Sequence, residues 1–168
     1  MRDHQARAPR PLYTAEERQR RDASRWTLVQ GVLAPLQFLV FLISLGLVIY
    51  YLVTGAGATA ATVSIVIKTL LLYAIMVTGC LWEHDVFGHY LFAPAFFWED
   101  VVSMLVMALH TAYLVALAFS LLDIHGQMIL ALAAYAAYVI NAAQFLWKLR
   151  MARLEHARQT ATSPEPAQ

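Results

Sequence analysis

The sequence predicts an all-α fold, a four-helix transmembrane bundle preceded by a short cytoplasmic N-terminal amphipathic helix. Three observations carry that prediction. Of the 168 residues, 60% are hydrophobic, against about 45–50% in an ordinary soluble domain. The excess gathers in four runs, roughly 26–53, 58–82, 97–122 and 128–149, each long enough to cross a hydrocarbon core that needs about 20 residues. The basic residues lie almost wholly outside these runs. Seven Arg (Arg2, Arg7, Arg10, Arg18, Arg20, Arg21, Arg25) precede the first run, and Lys148, Arg150, Arg153 and Arg158 end or follow the fourth. By the bias of Lys and Arg toward the cytoplasmic face, both tails are expected inside. An even number of spans agrees with that.

Taken in order, residues 1–13 read as a disordered tail, polar with Pro9 and Pro11. Thr14 and Glu17 have the spacing of a capping box, so a helix starts there. The run EERQRRDASRW then reads as a basic helix on the membrane surface, where arginine meets anionic lipid and no nucleic-acid partner is expected. About 25 polar, Arg-rich residues precede the first apolar run without a small-residue cleavage site, so no signal peptide is expected, and Asp3, Glu16, Glu17 and Asp22 argue against a mitochondrial-type presequence. Span 1 carries Gln30, Gln37 and Ser44 on one face, with Pro35 as a possible kink. Thr54–Gly57 reads as a turn. Span 2 carries Ser64 and Lys68 on one stripe, span 3 Glu99, Ser103, Val106 and His110, and span 4 Tyr138, Asn141, Gln144 and Lys148. Residues 14–155 make one membrane domain, and 156–168 read as a second disordered tail. Cys80, the single cysteine, excludes an intrachain disulfide and any CxxC site.

The segment Trp82–Asp100, WEHDVFGHYLFAPAFFWED, holds Glu83, Asp85, Glu99, Asp100, His84 and His89 without one Lys or Arg. Acids and imidazoles at a lipid boundary suit proton handling on an apolar substrate. Glu99 and Asp100 are adjacent, and repulsion and partial burial suit such groups to general acid–base work. The alternative is that both simply favour the start of a helix. Phe87, Tyr90, Phe92, Phe96, Phe97 and Trp98 crowd the same segment, as an interfacial belt does, and would also suit a flat aromatic ligand.

Polar groups facing lipid are costly, so the stripes are expected to turn inward. That places Gln30, Gln37, Lys68, Glu99, Ser103, His110, Asn141 and Gln144 around one cavity or seam, either as a site or as hydrogen-bonded glue. His110 has two readings, ligand to a metal in a porphyrin or donor to a backbone carbonyl. Lys68 has two as well, partner to a substrate carboxylate or a stem that snorkels outward. The spacing of His84, His89, Glu83 and Asp85 matches no strong metal motif, and no resident metal is expected. The nucleotide, flavin, zinc-hydrolase and kinase signatures do not occur in the sequence, so no cofactor is expected.

The stretches LYTAEERQRRDASRWTLVQGVLAPLQFLVF, SIVIKTLLLYAIMVTG, WEHDVFGHYLFAPAFFWEDVVSMLVMALHTAYL and AYVINAAQFLWKLR resemble the 2-vinyl bacteriochlorophyllide hydratase family of bacteriochlorophyll biosynthesis. The resemblance implies a hydro-lyase in the inner membrane of a phototrophic bacterium. It would add water to the C3 vinyl group of chlorophyllide a to give the 3-(1-hydroxyethyl) product. Partners so implied are chlorophyllide a, the bilayer and other enzymes of the pathway. The resemblance assigns a reaction and no residue roles. On that reaction, the residues suggest Glu99 or Asp100 as the acid, with Glu83, Asp85, His84 or His89 handling water. His110 would ligate the substrate magnesium. Lys68, Gln37, Asn141, Gln144 and Trp98 would contact the ring or its arms. The rival reading is a tetrapyrrole or quinone carrier, for which paired acids at the mouth have little use. A channel is a third reading, and Lys68 at mid-depth speaks against a cation path.

Overall fold

The structure is a computed structural model and describes residues 12–162; the expected disorder of 1–11 and 163–168 lies outside them. Five helices follow in order: α1 (Ala15–Ala23), α2 (Arg25–Thr54), α3 (Ala58–Phe87), α4 (Phe97–Ala118) and α5 (Ile124–Thr162). Among the described residues there is no strand.

Local chemistry explains the breaks. Glu17 N–H donates to the Thr14 hydroxyl at 3.2 Å and Thr14 N–H donates to Glu17 Oε2 at 2.7 Å, which closes the expected capping box. Helix α1 is polar and has no buried residue. Ser24 caps α2 through Trp26 N–H. Pro35 sits inside α2 without ending it. Helix α3 ends where Gly88 takes φ +79° and sends its N–H to the His84 carbonyl. A side chain with a Cβ adopts that left-handed cap only at a cost. Asp123 accepts from Gly126 N–H at 2.8 Å and so starts α5.

Four boundaries differ from the sequence reading by four residues or more: α4 ends at Ala118 rather than 122, α5 starts at Ile124 rather than 128, and two helices run further. Helix α3 runs past Trp82 to Phe87, so Glu83, His84 and Asp85 lie on its last turns rather than in a loop. Helix α5 runs past Leu149 to Thr162. Four helices are long and apolar enough to cross a membrane. Their outward faces carry Leu28, Val32, Leu39, Ile43, Leu70, Val77, Leu105 and Ile140, all exposed, a band far larger than water tolerates on a monomer. The protein is therefore a four-span helical membrane protein.

The spans pair as two antiparallel hairpins, α2 on α3 and α4 on α5, with fewer contacts between the pairs. Gln30 Nε2 ties α2 to α3 through Thr78 Oγ1 at 2.7 Å and the Ile75 carbonyl at 3.2 Å. Asn141 Nδ2 ties α5 to α4 through the Glu99 carbonyl at 2.9 Å. The hairpins meet across an aromatic seam. Phe41 packs against Tyr135 and Tyr138, and the Ser44 hydroxyl contacts both Ser64 and Tyr135. A smaller cluster of Tyr13, Val86 and Phe96, backed by Trp82, Phe87 and Phe145, closes the end that carries both termini. Tyr13, inside the expected N-terminal tail, is thus packed.

Candidate active site

The acids of interest come together at that terminal end, where the last turns of α3 meet the connection 88–96 and the first turn of α4. Glu83 is 4% exposed, Asp100 6% and Glu99 7%. A buried carboxylate needs partners, and the fold supplies them from the connection. Ala93 N–H donates to Glu83 Oε1 at 2.8 Å, and Phe92 N–H donates to Asp100 Oδ2 at 2.8 Å. Two consecutive backbone donors thus hold one carboxyl each. The Glu83 and Asp100 side chains also interact with each other. A hydrogen bond between two carboxyl groups needs one shared proton, which makes this pair the candidate for holding one.

Phe92 itself has φ +60°, a conformation that costs a non-glycine residue about 1–2 kcal/mol. That cost is stored in the segment that clamps the acids. Above it lies α1, tied down by Arg20 Nη1 donating to the Val86 carbonyl at 3.4 Å. The Arg21 guanidinium lies 4.9 Å over the Tyr13 ring. Burial pushes the Tyr13 phenol up to about 12, so it stays protonated in this roof.

Glu99 stands apart from the pair. Its Oε2 is 2.5 Å from Lys148 Nζ, and Lys148 also donates to the Ala95 carbonyl. Its backbone carbonyl accepts from Ser103 Oγ and Asn141 Nδ2. Asn141 therefore supports the start of α4. Lys148, read in the sequence as a topology marker and one of a helical face, is the site residue that reading missed. Its spacing of seven from Asn141 and four from Gln144 was the available signal.

Other expected residues fall elsewhere. Asp85 is exposed and accepts from Ser24 Oγ at 2.8 Å. It points away from Glu83, as a two-residue step of about 200° requires. His84 is exposed and stacks on Tyr90 at 4.2 Å between centroids, and His89 is exposed. Among the described residues no group of three metal-ligating side chains forms. Trp98 is 68% exposed; it forms an outward ladder with Phe97 (5.4 Å) and Phe92 (5.7 Å from Phe97). Phe92 joins that ladder to Asp100 through its N–H.

Lys68, His110 and Gln37 do not join the acids, whereas Gln144 lies on α5 between Asn141 and Lys148, which both bond Glu99. Lys68 lies 15 residues before Glu83 on α3, about 22 Å along the axis, and His110 about 15 Å beyond Asp100 on α4. The expected single cavity is therefore two separate polar groups. Lys68 does not snorkel; its Nζ is buried 3.8 Å over the Tyr138 ring. His110 Nδ1–H donates to the Val106 carbonyl at 2.8 Å, leaving Nε2 as the bare nitrogen. Gln37 Oε1, Lys68 Nζ, His110 Nε2 and Gln144 Oε1 are buried without a hydrogen-bond partner among the described residues. A groove of about 230 Å³ between α2 and α5 is lined by Phe41, Leu45, Leu132, Tyr135, Ala136 and Val139 and contains no acid.

Fold and site together define a small multi-pass helical membrane protein with a buried acidic centre at one end of its bundle. A family model for 2-vinyl bacteriochlorophyllide hydratase matches residues 13–151, and the chain belongs to that family. It is 73% identical over 147 residues to the 2-vinyl bacteriochlorophyllide hydratase of Cereibacter sphaeroides, covering 87% of this chain and 91% of that one. Its identity to the protein of the same name from Rhodobacter capsulatus is 68% over 150 residues, covering 89% and 87%. No solved structure matches the chain.

Proposed function

We propose that the protein is a hydro-lyase that adds water to the C3 vinyl group of chlorophyllide a, with Glu83 and Asp100 as its acid–base unit. The observation that carries the reading is the buried Glu83–Asp100 pair, held by two consecutive backbone N–H groups beside an exposed aromatic ladder. Family membership supplies the reaction class, and the pair supplies the chemistry.

The protonated member of the pair gives its proton to the terminal vinyl carbon. A cation forms on the inner carbon, where the macrocycle delocalises it, and the neighbouring carboxylate stabilises that charge. Water adds to the inner carbon and loses a proton to the carboxylate. One proton leaves the pair and one returns, so the cycle closes with no cofactor and no net change in the protein. The ring enters from the membrane side, because α1 and Tyr13 roof the other. It lies on Phe92, Phe97 and Trp98, and movement of the 88–96 connection admits the vinyl group to the acids. The substrate magnesium and its carboxylate arm meet groups outside the pair; His110 and Lys68 supply the matching chemistry but lie too deep to act on the same ring while the vinyl group is at Asp100. His84, His89 and Asp85 take no part in proton transfer. Residues 14–155 act as one domain with both termini cytoplasmic, in the inner membrane beside other enzymes of the pathway.

The test is expression in a host that lacks the pathway, with chlorophyllide a supplied and pigments analysed by mass. The proposal expects gain of one water. Pigment that co-purifies with the protein and stays unchanged would support a carrier instead.

A further inference from the structure

Three acids occupy one desolvated corner, and one cation faces them from α5. If Glu83 and Asp100 share a proton, that pair carries a single negative charge. Glu99 adds a second, and the Lys148 ammonium at 2.5 Å cancels it. Lys148 reaches this position from α5, the partner of α4 in the second hairpin. Its stem passes Phe96, with Nζ 5.1 Å from the ring centroid, and Nζ bonds both Glu99 and the Ala95 carbonyl. Ala95 lies two residues after the N–H that holds Glu83, and Glu99 is the neighbour of Asp100. One side chain therefore touches both arms of the clamp. Charged groups on the remaining elements are otherwise engaged, Arg20 of α1 with the Val86 carbonyl and Asp85 of α3 with Ser24.

We propose that Lys148 is a positioning residue for the hydration: it keeps Glu99 as a paired carboxylate outside proton exchange, so that the Glu83–Asp100 pair alone exchanges protons with substrate. This rests on the acid–base reading above. Glu99, although the first acid a sequence reader would choose, then acts through charge balance.

The experiment compares kcat and KM for chlorophyllide a hydration by the full chain in membranes, for wild type, K148M, K148R, E99Q and the double variant E99Q/K148M. An unpaired buried carboxylate beside the reacting pair is costly, so K148M is expected to lose at least about tenfold in kcat with KM within about twofold. K148R keeps the charge and is expected to recover most of that loss. Removing both charges restores balance, so E99Q/K148M is expected to match E99Q within about threefold and to exceed K148M. A tether that merely holds Ala95 gives no such rescue. The inference is overturned by K148M with near-normal kcat, or by a double variant no faster than K148M. Should K148M fail to accumulate, the comparison of E99Q/K148M with E99Q decides alone, and a loss of tenfold or more between them overturns the proposal. Failure of wild type to hydrate at all sinks the hydratase reading instead.

Discussion

Replacing Asp100 by Asn removes one exchangeable proton site while preserving the shape of the clamp. The Asn carbonyl oxygen still accepts from Phe92 N–H, now 2.8 Å from Asp100 Oδ2, and the new amide donates toward Glu83. The fold is therefore expected to survive, and the loss falls on chemistry. A positioned general acid contributes about 10²–10⁴ in rate, which corresponds to about 2.7–5.4 kcal/mol of transition-state stabilisation. D100N should lose that much in kcat with KM nearly unchanged, because the ring rests on Phe92, Phe97 and Trp98 rather than on the acid. Glu83→Gln should behave alike, since Ala93 N–H can still bond the amide oxygen. The assay is initial-rate hydration of chlorophyllide a in membranes of matched protein content, read by chromatography and mass. A D100N enzyme within about threefold of wild type in kcat would remove the pair from the mechanism, because no general acid is worth so little.

Other expectations follow from the same geometry. Asp85→Asn should leave kcat within about twofold, as its exposed carboxylate is bonded to Ser24 and faces away from the pair. Trp98→Ala should raise KM about three- to tenfold with little change in kcat, the range expected for one lost aromatic contact; a fall in kcat alone would deny the ladder a binding role. Lys68→Met tests the deep seam: separation of about 22 Å along α3 predicts kcat within about threefold, and a hundredfold loss would bring that seam into the reaction. Thr14→Ala should cost about 1 kcal/mol through the broken capping box, measured as faster protease cleavage near α1 while the bundle stays intact.

The architecture was legible because each span must satisfy its own backbone and hide it in lipid, which forces long apolar runs into the sequence. The capping box at Thr14 and Glu17 was local and equally readable. The site was less so. Placing the end of α3 near Trp82 put Glu83 and Asp85 in one loop as equivalents. With the helix continuing to Phe87, a step of two residues sends them to opposite sides. Glu99 and Asp100 looked like a pair because they are neighbours in sequence. Their partners are Lys148, 49 residues away, and Glu83 on another helix. The first pairing depends on how α5 folds back on α4 and the second on how the two hairpins dock, and no local spacing encodes either. The polar stripes did turn inward, as desolvation demands, yet they divide between hydrogen bonds at the terminal end and a separate seam around Lys68 and His110.

The most direct test of the account compares wild type with the double variant E83Q/D100N, each expressed without the rest of the pathway and supplied with chlorophyllide a. The account predicts that both proteins co-purify with pigment, that wild type adds the mass of one water, and that the double variant adds none. Water addition by the double variant at the wild-type rate would contradict it.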